Sequence, residues 1–384
     1  MLAQHASAGV NLPSAASGRL GLWRWGTVLP LPSSKRMPTF SCGQAIRSAI
    51  GLGALVLRGV GIAAAEKLGA LCSSGRVRSH LHSGSIAVAI AAIFILCSAG
   101  GALAQDMEPR AYSAVPIDTN FLILGYRRIT GAVSLNTALP VSNVRASINA
   151  GIVGYDRTFD LFGQAASAAI VIPYLRGTIS GDVGGEGNKV ARKGLGDIAL
   201  RITQNLIGNP AQTPVEFLRR APTTTLGVGL TALLPTGDYN SQHLINISTH
   251  RWTFYPEIGL SQPIGNWFVD GIAGVFVFTN NTDFFGGHVR GEDPLWVFQA
   301  HAGYNFGSDF WLAVDAMHYF GGTASLDGVS ANNFQSVTRY GLTLSVPLGG
   351  GFSEKVSGGS WLTSRNGGAF DQISLTLQYR WFDP

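Results

Sequence analysis

The sequence predicts an all-β protein, an antiparallel transmembrane β-barrel of about 12 strands that follows a cleaved signal peptide. Three observations predict this fold. From about residue 120 onward, segments of about 10–14 residues alternate between polar and apolar side chains and are separated by Gly, Asn and Asp. Aromatic residues cluster at the ends of the segments. Charged residues stand in the middle of the polar faces.

Alternation alone does not separate a membrane barrel from a soluble β-sandwich, because both have one buried face. Segment length favours the barrel, since a tilted strand needs about 9–11 residues to cross a bilayer. The aromatic residues at segment ends match the girdles that barrels place at the two membrane interfaces. These residues are Trp252, Trp267, Trp296, Trp311, Tyr379 and Trp381.

Charges in mid-strand favour a wet lumen, because a dry sandwich core could not hold so many of them. The predicted lumen-lining residues are Arg145, Asp197, Arg201, Glu257, Asp270, His301, Asp315, Arg339 and Arg380. Two readings of this lining stay open: it selects among permeants by charge, or its ion pairs and water fill a narrow barrel. Tyr255 and Trp311 also face inward by parity, and two readings stay open: they suit an aromatic solute, or they only fill space.

The predicted strands are even in number, as single-chain outer-membrane barrels require. The predicted connections on one side are long, at 130–144, 179–193, 236–250, 281–294 and 323–334, and most on the other side are short. In connection 208–222, Thr213 and Glu216 could cap one helical turn. The strands are expected near 120–129, 145–157, 164–178, 194–207, 223–235, 251–263, 267–280, 295–306, 310–322, 335–348, 351–362 and 370–382.

Residues 77–104 are predicted to be the signal peptide. An apolar run from Ile86 to Leu96 follows Arg76 and Arg78, and the small-residue end Ala102-Leu103-Ala104 predicts cleavage before residue 105. Residues 1–76 are then an upstream extension, from a start codon assigned too early or a genuine leader. The barrel is expected over residues 105–384.

Charge and cysteine content agree with this division. The first 104 residues hold 9 Lys and Arg and 1 acid, so the remainder holds 27−9=18 basic and 22−1=21 acidic residues, a balance of 18−21=−3. The basic character of the whole chain therefore belongs to the leader, and nucleic acid is not an expected partner. All 3 cysteines lie in the leader, which suits a body exported through an oxidising compartment.

Several motifs carry a resemblance to a known family. They include Gly194-Leu195-Gly196-Asp197, Pro235-Thr236-Gly237-Asp238-Tyr239, the run Asn246–Trp252, Asn281–Gly287 and the closing Gln378-Tyr379-Arg380-Trp381. In order and spacing, over about 115–382, they resemble the bacterial outer-membrane transporters named for the meta-pathway of phenol degradation. The resemblance implies a channel-like role and fixes no substrate.

No enzyme, metal or cofactor signature accompanies these motifs. A barrel hydrolase would need a Ser beside a His base, and the candidates Ser248 and His250 lie close in sequence within a loop. The scattered histidines show no ligand spacing, and we expect no metal site and no cofactor. Catalysis is therefore not expected.

The predicted function is an outer-membrane channel for passive diffusion of small, and in one reading aromatic or hydrophobic, solutes. The alternative is a non-conducting outer-membrane barrel with a structural, receptor or adhesion role. Expected partners are outer-membrane lipid, a small-molecule solute that the sequence does not identify, and the barrel-insertion machinery during assembly. The expected location is the bacterial outer membrane.

Overall fold

The structure is a computed structural model that describes residues 107–133, 141–183, 186–307 and 309–383. The predicted signal peptide and upstream extension lie outside these residues. The described chain is built almost wholly from strands, in this order: β1 (Thr119–Val133), β2 (Val141–Leu161), β3 (Gln164–Val183), β4 (Glu186–Leu195), β5 (Ala199–Ile207), β6 (Thr225–Leu233), β7 (Thr253–Ile264), β8 (Trp267–Phe278), β9 (Asn281–Phe284), β10 (His288–Glu292), β11 (Leu295–Gly307), β12 (Phe310–Gly321), β13 (Ala324–Leu326), β14 (Val329–Ser330), β15 (Gln335–Gly349), β16 (Phe352–Arg365) and β17 (Gly368–Phe382).

The large sheet closes on itself. β1 pairs antiparallel with both β2 and β17, and β2 also pairs with β3, so no edge is left exposed to lipid. β4 and β5 both pair with β3 and together make one barrel strand. Counted in this way the sheet is a barrel of 12 antiparallel strands, and the predicted barrel is confirmed.

The break between β4 and β5 has a local cause in the neighbouring strand. Pro173 of β3 has no N–H to donate to the ladder at that point, and its carbonyl accepts from the backbone N–H of Gly196, 2.8 Å away. Residues 196–198 therefore leave the strand, and pairing resumes at Val171 and Ala199.

Short turns join the strands at one end of the barrel. Residues in the left-handed region supply two of them: Phe162 and Gly163 between β2 and β3, and Gly265 between β7 and β8. One helical turn, α1 (Pro214–Phe217), lies at this end, and the predicted capping box of Thr213 and Glu216 is present. Short turns mark the periplasmic side of outer-membrane barrels, so this end is periplasmic.

The opposite, extracellular end carries long connections. The predicted loop 179–193 is instead a continuation of the β3–β4 hairpin, paired as far as Val183 and Glu186, because a ladder also stays satisfied beyond the bilayer. Connections 279–294 and 322–334 contribute a separate four-stranded sheet, in the order β14-β13-β10-β9, that the sequence does not predict.

The outer face of the barrel is apolar in its middle. Leu124, Val153, Ile172 and Val314 are among the large apolar side chains exposed there, as expected for a surface that meets lipid. No helix among the described residues is long and apolar enough to cross a membrane. Of the predicted girdle, Trp252, Trp267 and Trp296 are exposed, whereas Trp311 is buried on the inner face.

Candidate functional site in the barrel lumen

Alternate side chains of the barrel strands point inward, and their lumen is the candidate site. The strands bring seven of the predicted lining residues to this face: Arg201, Glu257, Asp270, His301, Asp315, Arg339 and Arg380. Most are buried, whereas Arg380 is half-buried and pairs with Asp309 across 2.9 Å next to the periplasmic turns.

Arg145 does not line the lumen. It is exposed on the outer face, in register with Ala132 and Ser180, while its neighbours Val144 and Ala146 are buried on the inner face. The cause lies in the end of β2, which extends beyond the bilayer. There the inner face packs against a loop and the outer face meets water, so the polar face is the outer one.

An ion-pair triad crosses the lumen at Arg201. Its Nη2 lies 2.6 Å from Oε1 of Glu257 on β7, and its Nη1 lies 2.6 Å from Oε2 of Glu108. The Glu257 side chain is 3% exposed, so its charge depends on Arg201 for compensation. Glu108 belongs to no strand of the barrel wall.

Glu108 is part of a segment that enters the lumen, here called the N-terminal segment (residues 107–118). The backbone N–H of Glu108 donates to Oε1 of Gln299 at 3.2 Å, and that of Arg110 donates to Oδ2 of Asp270 at 2.7 Å. The segment therefore contacts inward side chains of β5, β7, β8 and β11, and it occupies the bore.

Tyr112 is the buried anchor of the N-terminal segment. Its ring lies over a glycine floor formed by Gly227, Gly229 and Gly259, where a methyl group at any of the three would overlap the tyrosine. Thr225 Oγ1 donates to the carbonyl oxygen of Tyr112 at 2.6 Å. These glycines leave the space that the tyrosine fills.

Two further side chains extend these contacts across the bore. The methyl group of Met107 lies close to Gly341 on β15 and Gly359 on β16. The Arg110 guanidinium stacks over the rings of Phe268 and Trp311, 5.3 and 5.7 Å from their centroids. The segment thus touches walls on both sides of the lumen.

His301 is held in a buried chain of polar groups. Its Nδ1 lies 2.7 Å from Oδ1 of Asp315, and Thr343 Oγ1 donates to Oδ2 of the same carboxylate at 2.6 Å. The His301 side chain has no exposure to solvent. This geometry gives His301 a structural, hydrogen-bonded role in the wall of the lumen.

The extracellular half of the lumen is apolar on one side. Seven inward residues of β7, β8, β11, β12 and β15 form a single cluster, in which the rings of Tyr255 and Phe276 stack at 4.1 Å. An apolar or aromatic molecule would meet matching chemistry here. The cluster is Tyr255, Phe276, Leu295, Val297, Met317, Tyr319 and Val337.

A cap lies over the extracellular end, formed by connection 236–250 and the sheet β9, β10, β13 and β14. Asp197 holds it: Oδ1 accepts from Gly237 N and Ser248 Oγ, and Oδ2 accepts from the N and Oγ1 of Thr249, at 2.5–3.1 Å. Ile247 packs onto Ala150 and Leu175 of the inner wall. Asp197 is therefore an anchor for the cap.

Within the cap, aromatic and charged contacts join the loop to the sheet. Tyr239 stacks on His250 at 4.3 Å and donates to the carbonyl oxygen of Asp283 at 2.7 Å. Burial raises the pKa of Tyr239. Arg251 and Arg290 both contact Oε2 of Glu292, at 2.6 and 3.2 Å. The cap is thus tied together by several independent contacts.

Metal binding finds no support in the described part of the chain. Within residues 107–133, 141–183, 186–307 and 309–383, no group of three or more His, Cys, Asp or Glu side chains is arranged to hold a metal ion. The Ser248 hydroxyl donates to Asp197 and accepts from the backbone N–H of His250, so it does not face the imidazole as a nucleophile would.

Sequence reasoning missed the N-terminal segment as part of the site. Glu108, Arg110 and Tyr112 lie before the first alternating strand and carry no periodicity of their own. The signal that could have revealed them is the inward glycine set Gly227, Gly229 and Gly259. Such glycines suggest that another part of the chain approaches closely.

The closed sheet, its apolar outer face and its polar, occupied lumen define the class: an outer-membrane β-barrel. The model of the family described as "Putative MetA-pathway of phenol degradation" matches residues 131–377, and the chain belongs to that family. The predicted resemblance is confirmed.

One solved structure shares the fold, and a second is more distantly similar. An outer membrane channel from Pseudomonas putida F1 is 20% identical over 72% of this chain and 100% of its own, with a TM-score of 0.63. The beta domain of the Bordetella autotransporter BrkA is 13% identical over 69% of this chain and 100% of its own, with a TM-score of 0.43. No curated protein sequence matches the chain.

Proposed function

We propose that the chain is a passive outer-membrane channel for small aromatic or other apolar solutes. The observation that carries the proposal is the inward apolar cluster around Tyr255 and Phe276, which borders the lumen below the cap. Membership of a family named for phenol degradation supports the same solute class. The Pseudomonas putida structure of the same fold is an outer membrane channel.

Conduction requires that the N-terminal segment leaves the bore. Its contacts are of a kind that can be reversed, because they run through side chains rather than through a strand ladder. The resting barrel is then closed, and a population with the segment released conducts. A non-conducting barrel would keep the segment docked permanently. Release of the segment therefore distinguishes a channel from a non-conducting barrel.

Catalysis is not part of the proposal. The Nε2 atom of His301 is buried without a hydrogen-bond partner among the described residues, and its Nδ1 is bound to Asp315. No hydroxyl nucleophile is therefore presented to this imidazole within the described strands. The charged lumen is instead assigned to holding the segment and to screening permeants.

The test measures ion and solute permeation in planar bilayers. Bi-ionic reversal potentials for benzoate against gluconate should give a permeability ratio above one. Val297→Ser, which places a hydroxyl in the apolar cluster, should lower that ratio. Val314→Ser is the matched control, because Val314 is 59% exposed on the lipid face. Absence of any conductance would contradict the channel, and a ratio unchanged by Val297→Ser would contradict the apolar route.

A further inference from the structure

A row of exposed cations runs across the outer face of β1–β4. In the strand register Arg128 lies opposite Asn149, Asn149 opposite Arg176, and Arg176 opposite Lys193. All three cations are exposed. A second row, four residues nearer the extracellular end of β3, sets Arg145 opposite Ser180 and Ser180 opposite Lys189. Together these residues are called the basic face.

The basic face begins where the apolar belt ends. Two residues before Arg128 on β1 is Tyr126, and two residues before Arg176 on β3 is Tyr174, both exposed on the outer face. Below them lie Leu124 and Ile172. Tyrosine at the top of an apolar belt marks the level of the lipid headgroups. The cations therefore stand at the outer-leaflet headgroup level.

Like charges in register need a counter-ion. Directly opposed like charges on neighbouring strands destabilise a sheet, and Arg176 and Lys193 are such a pair. None of the five basic side chains hydrogen-bonds or ion-pairs with any residue that the structure describes. Two outward carboxylates on these and the adjoining strands, Asp371 and Asp182, accept hydrogen bonds from Ser360 and Asn143.

A depression of about 220 Å³ opens within the basic face. Hydroxyl groups line it together with one guanidinium, so it offers hydrogen-bond donors beside positive charge. Arginine with hydroxyl donors is the chemistry that recognises phosphate oxygens. The lining is Thr130, Gly131, Arg145, Ala146, Ser147, Thr178 and Ser180.

The other barrel strands, as far as the structure describes them, lack this arrangement. The extracellular ends of β7, β8 and β11 present Trp252, Val277 and Trp296 outward, and all three are uncharged. On β16 a single outward cation, Arg365, stands opposite Ser336. Positive charge is thus concentrated on one sector, as a bound anionic lipid would require.

We propose that the basic face binds the phosphates of a phosphorylated glycolipid in the outer leaflet. The cations and hydroxyls hold the phosphate groups, and the acyl chains lie along the apolar belt below Tyr126 and Tyr174. The N-terminal segment and the lumen take no part, so this site stands apart from the channel function. Arg145, which does not face the lumen, has its role here.

The test uses the full-length protein purified from outer membranes. Lipid A that carries both phosphates is titrated against the protein in detergent, and the temperature of the heat-dependent mobility shift reports binding. Wild type should be stabilised. Arg128→Gln/Arg176→Gln/Lys193→Gln should bind roughly fivefold more weakly for each cation removed, or on the order of 100-fold in total. Arg365→Gln is the matched control and should bind as wild type does.

Three outcomes would overturn the proposal: equal binding by the triple variant, equal binding of lipid A stripped of its phosphates, or equal stabilisation by inorganic phosphate alone. The second would show that acyl chains suffice, and the third that any free anion does. The triple variant could fail to show the folded, heat-sensitive band. In that case the lipid A affinity of the single variant Arg176→Gln is compared with that of Arg365→Gln. Equal affinity of those two single variants would also overturn it.

Discussion

The cap and the N-terminal segment obstruct the same bore from opposite sides, but different contacts hold them. In the cap, β10 pairs with both β9 and β13, and one carboxylate, Asp197, accepts four hydrogen bonds. In the segment, residues 107–116 pair with none of the described strands. The Glu108–Arg201 ion pair, the Tyr112 ring and a few side-chain hydrogen bonds hold them.

This difference indicates which obstruction is removable. A ladder breaks cooperatively and at a high cost, since each buried N–H and C=O must find a new partner. A docked segment separates when one ion pair, a few side-chain hydrogen bonds and the packing of individual side chains are exchanged for water. We therefore assign opening to the segment and a fixed, filtering role to the cap. Four predictions test this assignment, from the largest expected effect to the smallest.

Arg201→Gln should release the segment and leave the cap in place. Loss of the guanidinium leaves Glu257 buried without compensation, and breaking a buried pair in this way costs about 3–5 kcal/mol. Single-channel conductance should rise, and trypsin should cleave after Arg110 faster. The double variant Arg201→Gln/Glu257→Gln removes both charges and should recover part of the lost free energy. Conductance and cleavage equal to those of wild type would contradict the assignment.

Asp197→Ala should loosen the cap and leave the N-terminal segment docked. A hydrogen bond to a charged group contributes about 1.5–3 kcal/mol, so loss of this acceptor should loosen connection 236–250. Amide exchange at Thr249 should accelerate at least about tenfold, since 1.4 kcal/mol is a factor of ten. Cleavage after Arg110 should not change. Asp371→Ala, which removes an exposed outward carboxylate, is the control; an equal effect of the two variants would contradict the role of Asp197.

Gly259→Ala should displace Tyr112 without touching a charge. The added methyl group overlaps the ring, and overpacking of this kind costs about 1–3 kcal/mol. The open fraction of channels should rise about thirtyfold if the cost is about 2 kcal/mol, the middle of that range. Gly271→Ala is the control, because a methyl group at that position meets open space. An equal open fraction in both variants would count against the glycine floor.

The smallest effect concerns pH at the cap. The backbone N–H of Val289 and the His288 ring, both bonded to the carboxylate, hold the pKa of Asp327 below its ordinary value. A lowered folded-state pKa contributes stability above the ordinary aspartate pKa, and this is lost as pH falls through the lowered value. After correction for intrinsic exchange, exchange of the Val289 amide should therefore rise in acid, as pH falls through the lowered pKa of Asp327. Asp327→Asn should abolish that dependence.

The barrel wall could be predicted closely from the sequence. Each of the 12 predicted strands is present, because alternation over a bilayer's thickness leaves a single register for the apolar face. The helical turn after Thr213 could also be predicted from the sequence, because a capping box is a local signal. The four short strands of the cap could not be predicted, because runs of two to five residues carry too little periodicity.

At Arg145 the usual arrangement of a membrane barrel, with an apolar outer face and a polar lumen, is reversed. Within the bilayer the outer face is apolar and the lumen polar, as Tyr155 and Asp156 illustrate on β2. Beyond it, Ile148 and Ala150 turn inward beneath Ile247 of the cap, and the outer face meets water. A sequence pattern does not state where the bilayer ends, so the polar face was assigned to the wrong side at this end of β2.

Closure of the barrel depends on the two ends of the body of the chain. β1 pairs with β17, and Asn120 donates to Asp383 although they are 263 residues apart. The cylinder is therefore completed only after the final strand has been synthesised and exported. The N-terminal segment precedes β1 on the periplasmic side, so it can enter a cylinder that is already closed. The β1–β17 ladder that closes the wall includes no residue of the N-terminal segment, so closure of the wall and obstruction of the bore are separable steps of assembly.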